Sequence, residues 1–241
     1  MSKKLKIFLG ISYLLILSIF LYFIFSKVEL GRINDFSYYK EVQVNLESYI
    51  SDNFYINLIL FSMFCIVWIA LLGFGSPLLI ISGILFGKWA GTFVSVISIS
   101  VGALLLYSIV NFFFKDLIYR LLEKKFSKYI FLFNKNEFYY FFIFRFSGGL
   151  GIPFPLQNTL PVIFNMKKIN YFFASVLGFA PGFFIWNTIG SGISQFIKNS
   201  ENFSFVSLLL SKEIYQPILM FTIFVFITLV TKKFFFNVDS K

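Results

Sequence analysis

The sequence predicts an all-α, polytopic integral membrane protein with about five spanning helices and two re-entrant helical hairpins, the hairpins related as a candidate inverted repeat. Three observations predict it. The chain is 58% hydrophobic and only 13% charged, against about 45–50% and about 25% in a soluble domain. Its apolar runs follow one another with short gaps, so the 241 residues read as one membrane domain. Two apolar stretches, around Gly83 and around Arg145, are too short or too broken by Gly and Pro to cross a bilayer as plain helices.

Taken in order, Lys3, Lys4 and Lys6 precede an apolar run over 7–25. The run is too long for a signal-peptide core and no small-x-small pattern precedes Lys27, so it reads as a first span with a cytoplasmic N-terminus. In residues 26–53, Lys27, Arg32 and Lys40 are outnumbered by Glu29, Asp35, Glu41, Glu47 and Asp52. This segment reads as a polar loop with room for a short helix, its acids on a solvated face. A second span covers 54–72, and Gly73, Gly75, Ser76 and Pro77 then break the pattern. The apolar segment 77–87, which contains Gly83 and ends at Gly87, falls short of the about 20 residues that a crossing takes. Either a re-entrant hairpin or a kinked extension of the neighbouring helices accounts for it. A third span runs over 89–114, with Gly91, Ser95, Ser98, Gly102 and Ala103 as small residues for close helix packing.

Residues 115–137 change character. Ile118, Leu122, Phe126 and Tyr129 recur at helical spacing on one face, and Arg120, Lys124 and Lys128 on another. That is the pattern of an interfacial amphipathic helix with its basic face toward headgroup phosphates, or of a surface linker helix. With three spans before it, this cationic segment falls on the side opposite the N-terminus, against the positive-inside rule. A broken segment over 138–166 follows, closed by Lys167 and Lys168. A span over 171–189 carries kink-forming Gly178, Pro181 and Gly182, polar residues occupy 190–213, and a last span covers 214–230. These elements divide the chain into an N-terminal helix and loop (1–53), a membrane core (54–192) and a C-terminal loop and helix (193–241).

The broken segment holds the residue that points to function. Arg145 stands in an otherwise membrane-buried stretch. A charge at that depth costs about 2.5–3.5 kcal/mol on insertion scales, so it faces protein or a wet cavity. Gly148, Gly149, Gly151, Pro153, Pro155 and Pro161 follow, and such breakers are tolerated only where the freed backbone is buried or lines a cavity. Arg145 offers a planar donor fork suited to phosphate, and Gln157 and Asn158 offer neutral donors beside it. The alternative is an arginine that caps carbonyls and holds the hairpin in shape.

Composition excludes several chemistries. There is one cysteine, Cys65, and no histidine. No intramolecular disulfide can form, and Cys/His metal sites, Ser-His-Asp triads and Cys-His pairs are ruled out. No metal or other cofactor is expected. Phe, at 38 residues, reads as lipid-facing filler in place of Leu. The net charge of +10 clusters beside apolar segments, which favours anionic lipid headgroups over nucleic acid as the partner.

The two broken segments echo each other. Pro77-Leu78, four residues, Gly83 and Ile84-Leu85-Phe86 match Pro155-Leu156, four residues, Pro161 and Val162-Ile163-Phe164, and each is followed by lysine and a small-residue-rich span. Matching interrupted segments in two halves mark a transporter-like site between inverted repeats. Hairpins entering from opposite faces would bring half-helix ends together near the midplane, where N-terminal ends favour anions.

These residues resemble the DedA superfamily, also called SNARE-associated Golgi or VTT-domain membrane proteins. The resemblance is carried by Arg145, Pro153, Phe154, Asn158, Gly178, Pro181 and Gly190 in the second half, and by Gly83, Phe86, Gly87 and Gly91 in the first. It covers about residues 75–192 and implies two facing re-entrant hairpins and movement of lipids between leaflets. Members often carry acids near the first hairpin, whereas Leu71 to Gly87 contains none, which removes the usual ground for expecting proton coupling. The expected function is therefore that of a flippase or scramblase for phosphate-bearing lipids, in a bacterial plasma membrane, with no covalent chemistry and so no enzyme activity. A small-solute or ion transporter and a membrane scaffold are the rival readings.

Overall fold

The structure is a computed structural model, and it describes Leu15, Tyr22 and residues 35–71, 73–117, 119–120, 133, 135–200 and 204–235. All of the expected first span over 7–25 except Leu15 and Tyr22, and most of the basic segment, including Lys124 and Lys128, lie outside the described residues. Contacts divide the chain into two units, Met1–Val42 and Gln43–Lys241. Both broken segments, and Arg145 with them, belong to the second unit.

The described residues are helical, without strands. Helix α1, Phe36–Asp52, occupies most of the segment expected as a loop, and it meets α2, Phe54–Ala70, at an angle of 103°. Among the described residues, three helical stretches are long and apolar enough to cross a membrane, or four if the bent pair of α1 and α2 is one span: α3 (Ser76–Phe113), α6 (Lys168–Asn199) and, within the C-terminal helix α8 (Lys212–Phe235), Lys212–Thr231.

The first of these is not one straight rod. Gly87 has φ 73° and ψ 177°, a backbone region that only glycine occupies readily. Across it, the Ser82 hydroxyl donates to the Gly91 carbonyl at 3.0 Å. In an unbroken helix those residues would stand about 13 Å apart, so the chain reverses at Gly87. A further reversal precedes it. Residues 71–75 join α2 to the arm 76–86, with the Trp68 indole donating to the Phe74 carbonyl at 3.1 Å. The far ends of α2 and the arm come together where Phe86 packs edge-on against Phe54 and Phe61, with ring centroids at 6.0 and 5.4 Å. Residues 54–86 thus form a helical hairpin. The segment expected as a separate second span is one arm of it.

The second half repeats this plan. Helix α4, Glu137–Phe146, runs to a tip at Ser147–Pro153, and α5 (Phe154–Thr159) with the 3-10 turn Leu160–Phe164 returns. The return ends at Asn165, with φ 51°. Its feet close through Glu137, whose carboxylate accepts from the Asn170 amide at 2.6 Å and from the Lys167 backbone N–H at 3.3 Å.

Two long helices tie the hairpins together. Residues 88–113 and α6 run antiparallel, with Tyr107 stacked on Tyr171 at 4.8 Å near one end and Gly91 against Asn187 near the other. A Cβ on Gly83 would lie 2.2 Å from the Asn187 carbonyl oxygen, and one on Gly190 would lie 2.2 Å from the Ile80 carbonyl oxygen. Only glycine permits that backbone approach. Gly178, Pro181 and Gly182, expected to interrupt this span, sit inside a helix that continues to Asn199, and so do the first ten residues of the expected polar segment. Helix α7, Phe205–Leu210, precedes α8.

Candidate functional site

The two hairpin tips meet at the middle of α6. The position a Cβ would take on Gly75, in the first tip, lies 3.6 Å from the Phe154 ring of the second. Between the tips, α6 and α8 lies a cavity of about 440 Å³ whose walls include Gly75, Ser76, Arg145, Ser147, Gly148 and Gln157, with Phe221 and Phe224 from α8. The space is of the size that holds small-molecule ligands.

Arg145 is 2% exposed and projects from the last turn of α4. One terminal nitrogen donates to Asn158 Oδ1 and to the Tyr171 hydroxyl, both at 2.8 Å, and the other reaches Gln157 Oε1 at 3.4 Å. The guanidinium carbon lies over the rings of Phe141, Tyr171 and Phe179 at 4.7, 5.5 and 4.6 Å. Every one of these partners is neutral. The carboxylate of Glu47 forms an ion pair with Lys198 at 2.8 Å, not with Arg145. Aromatic faces and amide oxygens lower the cost of burying the cation, yet its charge has no counter-ion among the described residues.

Three buried donors at this site have no hydrogen-bond partner among the described residues, Asn158 Nδ2, Arg145 Nε and the Ser147 hydroxyl, the last two in residues that line the cavity. A buried donor left unmet costs about 1–3 kcal/mol. An anion with several acceptor oxygens would satisfy those two and neutralise the charge.

The tip is shaped by glycine chemistry. Gly148, Gly149 and Gly151 have φ of 64°, 72° and 82°. A Cβ on Gly149 would stand 2.0 Å from the Gln157 side-chain carbon, because that side chain folds under the tip and donates to the Ile152 and Gly148 carbonyls at 2.6 and 3.2 Å. Pro153 caps α5 and Pro155 stands in its first turn, where a missing N–H costs nothing. Pro161 does the same for the following 3-10 turn, and Pro77 for the arm that starts at Ser76.

Of the three binding residues expected from the sequence, Arg145 and Gln157 line the cavity, and so do the breakers Gly148, Pro153, Gly178 and Gly182. Asn158 is fully buried behind the guanidinium and accepts from it, with its own amide nitrogen unpartnered. Gln157 spends its amide donors on the hairpin backbone, so the cavity-lining residues with a buried donor still unpartnered are Arg145 and Ser147. Arg120 stands far along the chain in the basic segment and takes no part in the walls. Sequence reasoning missed Ser147, Tyr171 and the rings of Phe141 and Phe179. A tyrosine at the mouth of an apolar span was the available signal for Tyr171. Ser147, adjacent to a triple-glycine tip, looked like one more turn residue.

The family model described as the VTT domain matches residues 58–192, more than half of the chain. No solved structure matches the chain.

Proposed function

Because the chain belongs to the VTT-domain family, which takes in the DedA and SNARE-associated membrane proteins, we propose that it moves phosphate-bearing lipids between the leaflets of a membrane. One observation carries the reading: a buried cation with neutral partners only, opening onto a cavity between two hairpin tips. In this mechanism the phosphate of a lipid headgroup meets Arg145 and the Ser147 hydroxyl, and the acyl or prenyl tails stay in hydrocarbon. The hairpins are re-entrant from opposite faces, so neither crosses, and the polar path between their tips shortens the barrier at the bilayer centre. No bond is made or broken, and no covalent catalysis is assigned.

This reading also fixes an orientation. With residues 54–86 as a hairpin and the apolar run 7–25 crossing as its sequence leads one to expect, the span 88–113 returns the chain to the side on which it began. The basic segment 115–137, Lys167, Lys168, Lys232 and Lys233 then share the cytoplasmic side with Lys3, Lys4 and Lys6. The conflict with the positive-inside rule disappears. Four spans and two hairpins replace the five spans expected from composition. The basic segment gathers anionic headgroups at the cytoplasmic face, each cation contributing about 1 kcal/mol, and a bacterial plasma membrane is the proposed location.

The test is a leaflet-exchange assay in proteoliposomes, with a fluorescent phosphatidylglycerol, a polyprenyl phosphate and a phosphate-free diacylglycerol as parallel probes. Faster exchange of the two phosphate-bearing probes, abolished by Arg145→Gln, supports the reading. Solute flux without exchange of any lipid would replace it with the transporter reading.

A further inference from the structure

A second cavity, of about 290 Å³, lies further along the same seam between α6 and α8. The central cavity takes its α6 wall from Gly178–Trp186 and its α8 wall from Phe221–Thr228, whereas this outer one takes Phe184–Gln195 and Lys212–Met220. The two are successive chambers. Trp186 and Phe221, with ring centroids 5.5 Å apart, pack across the seam where one ends and the other begins.

The outer chamber is basic and polar at its rim. Lys88, the first residue after the Gly87 reversal, and Lys212, the first residue of α8, both line it. Glu213 shares the chamber without forming an ion pair with either lysine. The Ser191 side chain, in a residue 9% exposed, lines it as well and has no hydrogen bond to a described residue. The floor is apolar, from Phe184, Pro217 and Met220. Both lysines stand at the ends of long apolar helices, which is the depth of headgroup phosphates.

We infer that this chamber is a second binding site for the phosphate of a lipid headgroup, held by Lys88, Lys212 and Ser191 at the membrane surface opposite the basic segment. Its floor receives the glycerol and the first acyl carbons. Its place as the outer station on the route to Arg145 rests on the proposed lipid movement, but the binding itself does not.

Native mass spectrometry of the purified full chain in detergent, titrated with short-chain phosphatidic acid, tests the site. The wild type binds two lipids. Lys88→Gln with Lys212→Gln removes one, or raises its dissociation constant at least tenfold, and leaves the other. Arg145→Gln removes the other and leaves the outer site intact. A Lys88→Arg, Lys212→Arg variant retains both. Unchanged binding in the double glutamine variant overturns the site. Inorganic phosphate competing as tightly as the lipid overturns its assignment to a lipid. Loss of leaflet exchange is read separately, so a failure of the transport reading leaves the outer-site result standing.

Discussion

Gly178 is the surface on which Arg145 rests: a Cβ built on Gly178 would lie 2.5 Å from Arg145 Cβ and 3.0 Å from the Phe142 carbonyl oxygen. The arginine's depth is thus set by backbone contact between α4 and α6. Gly178→Ala forces those helices apart, and overpacking of this kind costs about 1–3 kcal/mol. Thermal unfolding in detergent should show the loss, together with slower lipid exchange. An unchanged melting temperature would mean that the contact is looser than the geometry states.

Tyr171 supplies the hydroxyl that accepts from Arg145 while lying within 3.2 Å of the Ala103 and Asn158 carbonyls. Tyr171→Phe keeps the ring that stacks on Tyr107 and removes that acceptor. The cost is about 1–3 kcal/mol for a donor left unmet, and exchange falls by less than in Arg145→Gln because the charge stays. Stability and exchange rate measured on the same preparation check both parts.

Gly87 and Gly149 need glycine for different reasons, and alanine separates them. At Gly87 an added Cβ meets nothing within 4 Å, so only the positive φ is penalised, at about 1–3 kcal/mol. At Gly149 the same backbone penalty is joined by a clash with Gln157. Gly149→Ala should therefore destabilise more than Gly87→Ala in chemical or thermal unfolding, and it should also impair exchange by displacing the tip.

The orientation is open to labelling. Arg120→Cys, in a Cys65→Ala background, should react with a membrane-impermeant maleimide from the same side as a tag on the N-terminus. Reaction from the opposite side would restore residues 54–70 as a full span and remove the first hairpin.

The turn of the chain at 147–153 was legible in the sequence because its cause is local: a cluster of glycines and prolines after Arg145 cannot continue a regular helix. The echo was legible for the same reason, and it extends one step further than the residue match, since Gly87 and Asn165 both turn the chain with positive φ at the ends of the return arms. The role of residues 54–70 was not legible. A 17-residue helix of high mean hydropathy reads the same as a span or as a hairpin arm, and the packing of Phe86 on Phe54 and Phe61 is a contact that no sequence pattern announces. Pro181 misled in the other direction. Its missing N–H looked like an interruption, yet α6 continues through it, supported by close contacts to 88–113 and the first hairpin. Tyr171 and Ser147 became visible only when the fold brought 145, 147 and 171 to one place.

The central claim is that the charge of Arg145, sheltered between the tips, holds a phosphate. The most direct measurement is the exchange rate of a fluorescent phosphatidylglycerol in proteoliposomes bearing wild type, Arg145→Lys or Arg145→Gln, each first shown to be folded by its melting profile. The account predicts that Arg145→Gln falls to the protein-free rate and Arg145→Lys keeps part of the activity, since lysine retains the charge but loses the planar donor fork. A folded Arg145→Gln protein that exchanges the lipid as fast as the wild type would contradict it.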